Sequence, residues 1–200
     1  MHNRMFDGQV KSSPEDFDLL ERFNSGDDTA FTRIVEKHSG SLINFLFRYT
    51  WNKNTSEDIA QETFLRLYQA APDLKPGAKL STILYKIACN LAIDYARKNK
   101  SRAARASVQS PDPGREDGLP QNDPPADPAD APDALYEVNR QKKEIAAGLA
   151  ELPETQRLAI ILKVYEDRAY AEIAEIMELS VSSVESLLFR ARRNLAKRLK

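Results

Sequence analysis

The chain has 200 residues, of which 42% are apolar and 30% charged, within the range of a globular protein of one or two domains. Its net charge of −1 excludes nothing about nucleic acid, because it averages unlike segments. Residues 1–100 carry 14 Lys and Arg against 13 Asp and Glu, residues 101–133 carry 3 against 7, and residues 134–200 carry 12 against 10. One cysteine, Cys89, and two histidines, His2 and His38, exclude an intramolecular disulfide and a zinc site of the usual ligand spacing, and no cofactor is expected.

Residues 1–30 lack the apolar stretch of a secretory signal, and no run approaches the roughly 18 apolar residues of a membrane span, so a cytoplasmic chain is expected. Residues 1–13 form a tail without a reading. Pro14 opens an amphipathic helix that reaches about Asn24. Asp27 or Asp28 can cap a second helix carrying Phe31, Ile34 and Val35 and running on through Leu42, Phe45 and Leu46, with a break near Gly40. Thr55 or Ser56 caps a third, which ends before Pro72. The segment 73–79, with Pro76 and Gly77, reads as a loop, and a long helix follows from about Leu80 to Lys98.

Seven of the eleven prolines lie between Pro111 and Pro132, and Asp112 to Glu137 holds eight acids against Arg115 alone. Such a stretch buries too little apolar surface to offset its ordering entropy, so 101–133 is expected to be a flexible linker. It divides an N-terminal module, 14–100, from a C-terminal one, 134–200. Strand patterns are absent, and the fold class is all-α: two small helical domains, each near the lower size for an independent core.

Three helical faces stand out. In helix 57–71, Ile59, Ala60, Thr63, Phe64, Leu67 and Ala71 form the core stripe, while Asp58, Gln61, Glu62, Leu65 and Gln69 share the opposite arc. Pattern alone favours a solvated face with one stray leucine over a docking face for a basic partner. In helix 80–98, Leu80, Ile83, Leu84, Ile87, Leu91 and Tyr95 form the apolar arc. Lys79, Lys86, Asn90 and Arg97 gather on the far side, and Lys98, Lys100, Arg102 and Arg105 continue the basic run with no acid before Asp112. Lysine and arginine suit phosphates and asparagine suits an adenine edge, yet cations at a helix C-terminus also satisfy its dipole; both readings stand. Cys89 falls on an arc away from the apolar stripe, where a redox role is conceivable, with Lys86 alone nearby to favour the thiolate.

The third face is the C-terminus. Tyr170–Met177 is a short amphipathic helix, Glu178-Leu179-Ser180 a tight turn, and a basic helix follows from about Val181, the outline of a helix-turn-helix. Val181, Val184, Leu188, Ala191, Leu195 and Leu199 are expected on its buried arc, with Ser182, Ser183, Ser186, Arg190, Arg193 and Lys197 opposite. Glu185 fits a capping box with Ser182. No nucleophile–base pair, metal cluster or phosphate loop is visible, and Glu57-Asp58 reads as helix-start acids rather than a catalytic dyad.

Taken in this order, the motifs resemble extracytoplasmic-function sigma factors, the compact branch of the sigma-70 family of bacterial RNA polymerase. Ser56-Glu-Asp-Ile-Ala-Gln-Glu-Thr-Phe-Leu-Arg-Leu-Tyr68 is similar to the family's core-polymerase-binding helix, and Thr82-Ile-Leu-Tyr-Lys-Ile-Ala-Cys-Asn-Leu-Ala-Ile-Asp-Tyr95 to its minus-ten-reading helix. Leu152-Pro153, Tyr170-Ala-Glu-Ile-Ala174 and Ser186-Leu-Leu-Phe-Arg-Ala-Arg192 resemble its minus-thirty-five-reading domain. The resemblance implies that Asp58, Gln61, Glu62 and Leu65 meet the β′ clamp of core RNA polymerase and that the C-terminal module meets the β flap. It implies minus-ten DNA binding by Lys79, Lys86, Asn90, Arg97 and Lys98, with loop 73–79 as the pocket for a flipped base. Minus-thirty-five binding falls to Ser182, Ser183, Ser186, Arg190, Arg193 and Lys197.

The implied protein is not an enzyme. It is a monomer when free, reads promoters poorly alone, takes no small-molecule substrate, and is held in check by an anti-sigma factor in a stress or envelope response. The chain departs from the family pattern at Leu80 and Ile83, where Phe and Trp are frequent, and at Glu185 and Leu187, where bases are usual. The rival readings are a stand-alone helix-turn-helix regulator acting as a dimer on duplex DNA, and a decoy that binds core or an inhibitor without DNA.

Overall fold

The computed structural model describes residues 14–74, 79–109 and 144–198, and among them every regular element is helical. Helix α1 spans Pro14–Asn24, α2 Asp28–Thr50 and α3 Lys53–Ala70; a 3-10 turn, Ala71–Asp73, follows, and α4 spans Leu80–Gln109. In the C-terminal half the residues 144–150 are helical and are labelled α5; α6 spans Glu154–Val164, α7 Tyr170–Met177 and α8 Val181–Arg198. No helix among the described residues is long and apolar enough to cross a membrane.

The local chemistry explains most boundaries. Asp27 caps α2, its carboxylate accepting the Thr29 N–H at 3.1 Å and Arg22 Nη2 donating to it at 2.5 Å. The break expected at Gly40 does not occur: α2 runs unbroken through it, because buried Ile34 on one side and Leu42, Phe45 and Leu46 on the other hold the helix in the core. Trp51, in the left-handed region at φ 53°, ends α2 with its N–H on the Phe47 carbonyl. The cap of α3 is Asn52, not Thr55 or Ser56; its side chain accepts the Thr55 N–H at 2.9 Å. Thr55 and Ser56 are buried inside the first turn, where Ser56 Oγ donates back to the Asn52 carbonyl. Helix α4 continues past the expected end at Lys98 to Gln109, over a stretch free of proline and glycine.

Ile59, Ala60, Thr63, Phe64, Leu67 and Ala71 are buried as the α3 stripe requires, packed with Leu42, Phe45 and Leu46 of α2 and Leu80, Ile83 and Leu84 of α4. Burying one such Leu or Phe side chain contributes about 1.5–3 kcal/mol. Tyr95 departs from its expected arc: its hydroxyl reaches Thr55 Oγ1 at 3.1 Å, which leaves the ring at the rim. In the C-terminal half, Leu158, Ile161 and Leu162 of α6 meet Ile173 and Ile176 of α7 and Val184, Leu188 and Ala191 of α8.

The two halves are docked on one another, which the sequence does not announce. Helix α4 has a second buried arc beside its core stripe, formed by Tyr85, Cys89 and Ala92, at about 100° of turn per residue. Cys89, expected away from the core, is therefore enclosed, and burial pushes its thiol far up. Arg157 of α6 crosses to α2, donating to the Tyr49 carbonyl at 3.2 Å and lying over the Tyr49 ring at 5.2 Å. It also donates to the Ala150 and Leu152 carbonyls of its own half.

Candidate nucleic-acid interface

Three faces carry the candidate residues. On α3, Asp58, Gln61 and Leu65 are exposed, Leu65 by 51%, while Glu62 is half-buried and accepts from Arg66 Nε at 2.8 Å. Tyr68, overlooked in the sequence, stands one turn beyond Leu65. Its ring packs against Phe23 and Phe31 with centroids 4.9 and 5.1 Å away, yet nearly half of the residue is exposed. The result is an apolar shelf beside two acidic side chains, a surface suited to a basic partner with an apolar anchor. The missed signal was the i, i+3 spacing of Leu65 and Tyr68.

On α4 the candidates divide. Asn90, Arg97 and Lys98 are exposed. Lys79 and Lys86 are not presented to solvent in the same way: Lys79 Nζ lies 2.5 Å from Glu172 Oε1, and Lys86 Nζ 2.7 Å from Glu178 Oε1. Both acids belong to the C-terminal half, and the Lys86 side chain is only 13% exposed. The Lys79 ammonium beside Glu172 holds that carboxyl below its usual range, whereas burial pushes Glu175 up. Of the pocket loop 73–79, residues 75–78 lie outside the described residues, so the flipped-base pocket has no structural account here.

The helix-turn-helix is built by its turn. Glu178 takes the left-handed region at φ 56°, Leu179 N–H donates to the Ala174 carbonyl at 2.9 Å and Glu178 N–H to that of Glu175 at 3.4 Å, a Schellman closure that turns the chain sharply. Ser180 then caps α8, its Oγ accepting the Ser183 N–H at 3.2 Å. The expected capping by Glu185 is thereby corrected: Glu185 lies past the first turn, exposed. Ser182, Ser183, Ser186, Arg190, Arg193 and Lys197 are all exposed along one face. Val181, at the first position of α8, is exposed rather than buried, and Leu199 lies outside the described residues.

Leu187 is half-buried and packed on the core, so its apolar character serves the module rather than the groove. Phe189, missed in the sequence, is 65% exposed between Ser186 and Arg190, where an apolar ring can meet a thymine methyl. Counting i+3 from Ser186 was enough to find it.

A short helix closed by a Schellman turn onto a helix with a basic outer face defines a DNA-reading module, here fused to a second helical module. The comparisons agree with both. A family model described as Sigma-70 region 2 matches residues 34–102, and one described as Sigma-70, region 4, matches residues 142–195. The ECF RNA polymerase sigma factor SigW of Bacillus subtilis (strain 168) is 30% identical, over 90% of this chain and 95% of its own. The structure of CnrH in complex with the cytosolic domain of CnrY is similar with TM-score 0.65 and 23% identity, over 92% of this chain and 97% of that one. The sigma factor RpoE of Bartonella quintana, in complex with the anti-sigma factor NepR, gives TM-score 0.62 and 20% identity, over 84% and 96%. The chain belongs to the sigma-70 family, in its extracytoplasmic-function branch, and is an RNA polymerase sigma factor. A stand-alone dimeric regulator is not favoured, since it accounts for α7 and α8 but leaves the match over 34–102 unexplained.

Proposed function

We propose that this chain binds core RNA polymerase through Asp58, Gln61, Glu62 and Leu65 on the β′ clamp, with Tyr68 extending the contact, and through its C-terminal module on the β flap. It then places Lys79, Lys86, Asn90, Arg97 and Lys98 on the minus-ten element and Ser182, Ser183, Ser186, Arg190, Arg193 and Lys197 on the minus-thirty-five element. Catalysis stays with the polymerase; this chain contributes position and promoter choice. It works in the cytoplasm, free of partners as a monomer, in a stress or envelope response restrained by an anti-sigma factor. The described neighbour from Bartonella quintana is itself captured by such a factor, which supports that restraint.

The observation that carries the reading is the pairing of two unlike faces on one chain: an acidic–apolar face on α3 and a serine–arginine face on α8. The first suits a protein partner and the second suits phosphates and base edges. The test is binding of labelled protein to purified core RNA polymerase in the presence of a housekeeping sigma factor. Saturable binding that the housekeeping factor displaces and Asp58→Arg weakens is the expected result. Absence of binding to active core would remove the reading.

A further inference from the structure

We propose that Glu185 is a specificity-determining residue of α8, a carboxylate that selects cytosine at one position of the minus-thirty-five element by accepting from its exocyclic amine. The inference rests on the assignment of the outer face of α8 to DNA.

Glu185 is the one acid in a helix that carries five bases. Its place in the sequence suits a cap, but the structure gives that task to Ser180, whose Oγ accepts the Ser183 N–H at 3.2 Å. Glu185 is exposed and makes no hydrogen bond or ion pair among the described residues. Its neighbours three and four residues away are Ser182, Val181, Leu188 and Phe189, none of them a base. The first arginine, Arg190, lies five residues on, off its side of the helix. A carboxylate left bare in this way is repelled by phosphates, and its chemistry suits a hydrogen-bond donor on the partner.

Position and geometry select the donor. Val181, Glu185 and Phe189 follow at intervals of four residues, about 6 Å of rise per step, and form one exposed ridge with the acid between two apolar side chains. The ridge occupies the N-terminal half of α8, the part of a recognition helix that reaches base edges. Arg190, Arg193 and Lys197 lie on the neighbouring arc of the C-terminal half and suit phosphates. In the major groove only adenine N6 and cytosine N4 present a donor. Adenine sets the N7 acceptor beside its amine, and a carboxylate has no proton to give it. Cytosine presents its amine without an acceptor beside it. Val181 and Phe189 shield such a contact from water, which strengthens a charge-assisted hydrogen bond.

The experiment uses holoenzyme reconstituted from the full chain and purified core RNA polymerase. Duplexes randomised across both promoter elements are selected for binding by the parent, by Glu185→Ala, by Glu185→Gln and, as a control for the face itself, by Arg190→Ala/Arg193→Ala. The parent should enrich cytosine at one upstream position, and on defined duplexes differing in that base pair alone it should prefer cytosine roughly fivefold or more. Glu185→Ala should lose that preference and keep the others. Glu185→Gln should move it to adenine, whose N6 and N7 an amide serves bidentately. A parent without the cytosine preference, or one whose preference both Glu185 variants keep, would overturn the role of Glu185 and leave α8 on DNA. So would a Glu185→Ala variant that binds every sequence equally more tightly with its preferences unchanged, because the carboxylate would then act by repulsion alone. If Arg190→Ala/Arg193→Ala selects the parental upstream motif with parental affinity, the DNA face itself falls, and the reading of Glu185 with it.

Discussion

Glu172 holds two groups at once: its Oε1 accepts from Lys79 of α4 at 2.5 Å, and its Oε2 accepts the Ala169 N–H at 3.1 Å. The carboxylate that stabilises the start of the first helix of the helix-turn-helix therefore also fastens that helix to the other module. Parting the modules removes only the first of these bonds. The helix start survives the separation, so α7 and α8 can work as a unit whether docked or free. Closure and DNA reading thus share a residue without sharing a fate.

Tyr85 gives a spectroscopic view of the seam between the two halves. Burial pushes its phenol from 10.0 up to about 12, and the bond to Glu166 adds to the rise. A proton held more tightly in the folded state contributes stability that is present below the unfolded value and lost as pH rises through the folded one. Glu166→Gln removes the carboxylate and loosens the seam, and both changes favour the phenolate. Native Glu166→Gln should therefore show more phenolate absorbance than the parent near about pH 11, between the two values, at equal helix content. Equal titration curves would mean that Glu166 does not reach Tyr85 in solution.

Cys89 is 2% exposed and its thiol is raised by burial alone, with no basic group among the causes. The thiolate is the reactive form, so a redox role is disfavoured on both access and ionisation. The native chain should react with a disulfide reagent at mildly alkaline pH only on the timescale of opening, and at once in denaturant. Rapid native labelling would show that the arc of Tyr85, Cys89 and Ala92 is open in solution, and the docked arrangement would fall with it.

The helical architecture and the outer faces of α3 and α8 were legible because they depend on period alone: the α3 stripe and the serine–arginine face of α8 repeat every three to four residues, whereas the α4 face was legible only at Asn90, Arg97 and Lys98. Start signals were less so. Asn52, Thr55 and Ser56 are all competent caps, and only tertiary packing, with Ser56 on Thr50 of α2 and Thr55 on Tyr95 of α4, buries the last two and leaves Asn52 to do it. The docking was not legible. Tyr85, Cys89 and Ala92 are too mixed to read as a second apolar stripe, and the acids that meet Lys79 and Lys86 are 93 and 92 residues away in the chain. A lysine on a basic helix gives no sign of the carboxylate that will claim it. Phe189 and Tyr68 were missed for a different reason: an aromatic in a helix is ordinarily assigned to the core, and here each stands at its edge.

Asp27 ties α1 to α2, and its pH response has a fixed sign. Bonds from Thr29 and Arg22 lower its carboxyl from 3.8 to about 2. A depressed folded value contributes stability above the unfolded value and loses it as pH falls through the folded one. Thermal midpoints of the parent and Asp27→Ala should differ at neutral pH, with the parent higher, and converge between about pH 4 and pH 2 as the carboxylate is protonated. A difference that persists to pH 2 would assign the stabilisation to packing rather than to the charge.

The recognition helix offers the sharpest test of the DNA face. Arg190 and Arg193 are exposed and lie on the same side of α8 as Ser182, Ser183 and Ser186, with no acid between them and the end of the chain. If each meets a phosphate, replacing both by alanine removes two counterion-releasing contacts, and the slope of log affinity against log salt should flatten by roughly 1.8. Promoter-dependent transcription should fall steeply while binding to core polymerase, for which the proposed main contact is on α3, stays intact. Glu185 and Leu187 sharpen the expectation, since neither supplies a base and more of any phosphate contact on this face would fall to the arginines. An unchanged salt slope with unchanged transcription would take the DNA face away from this side of α8.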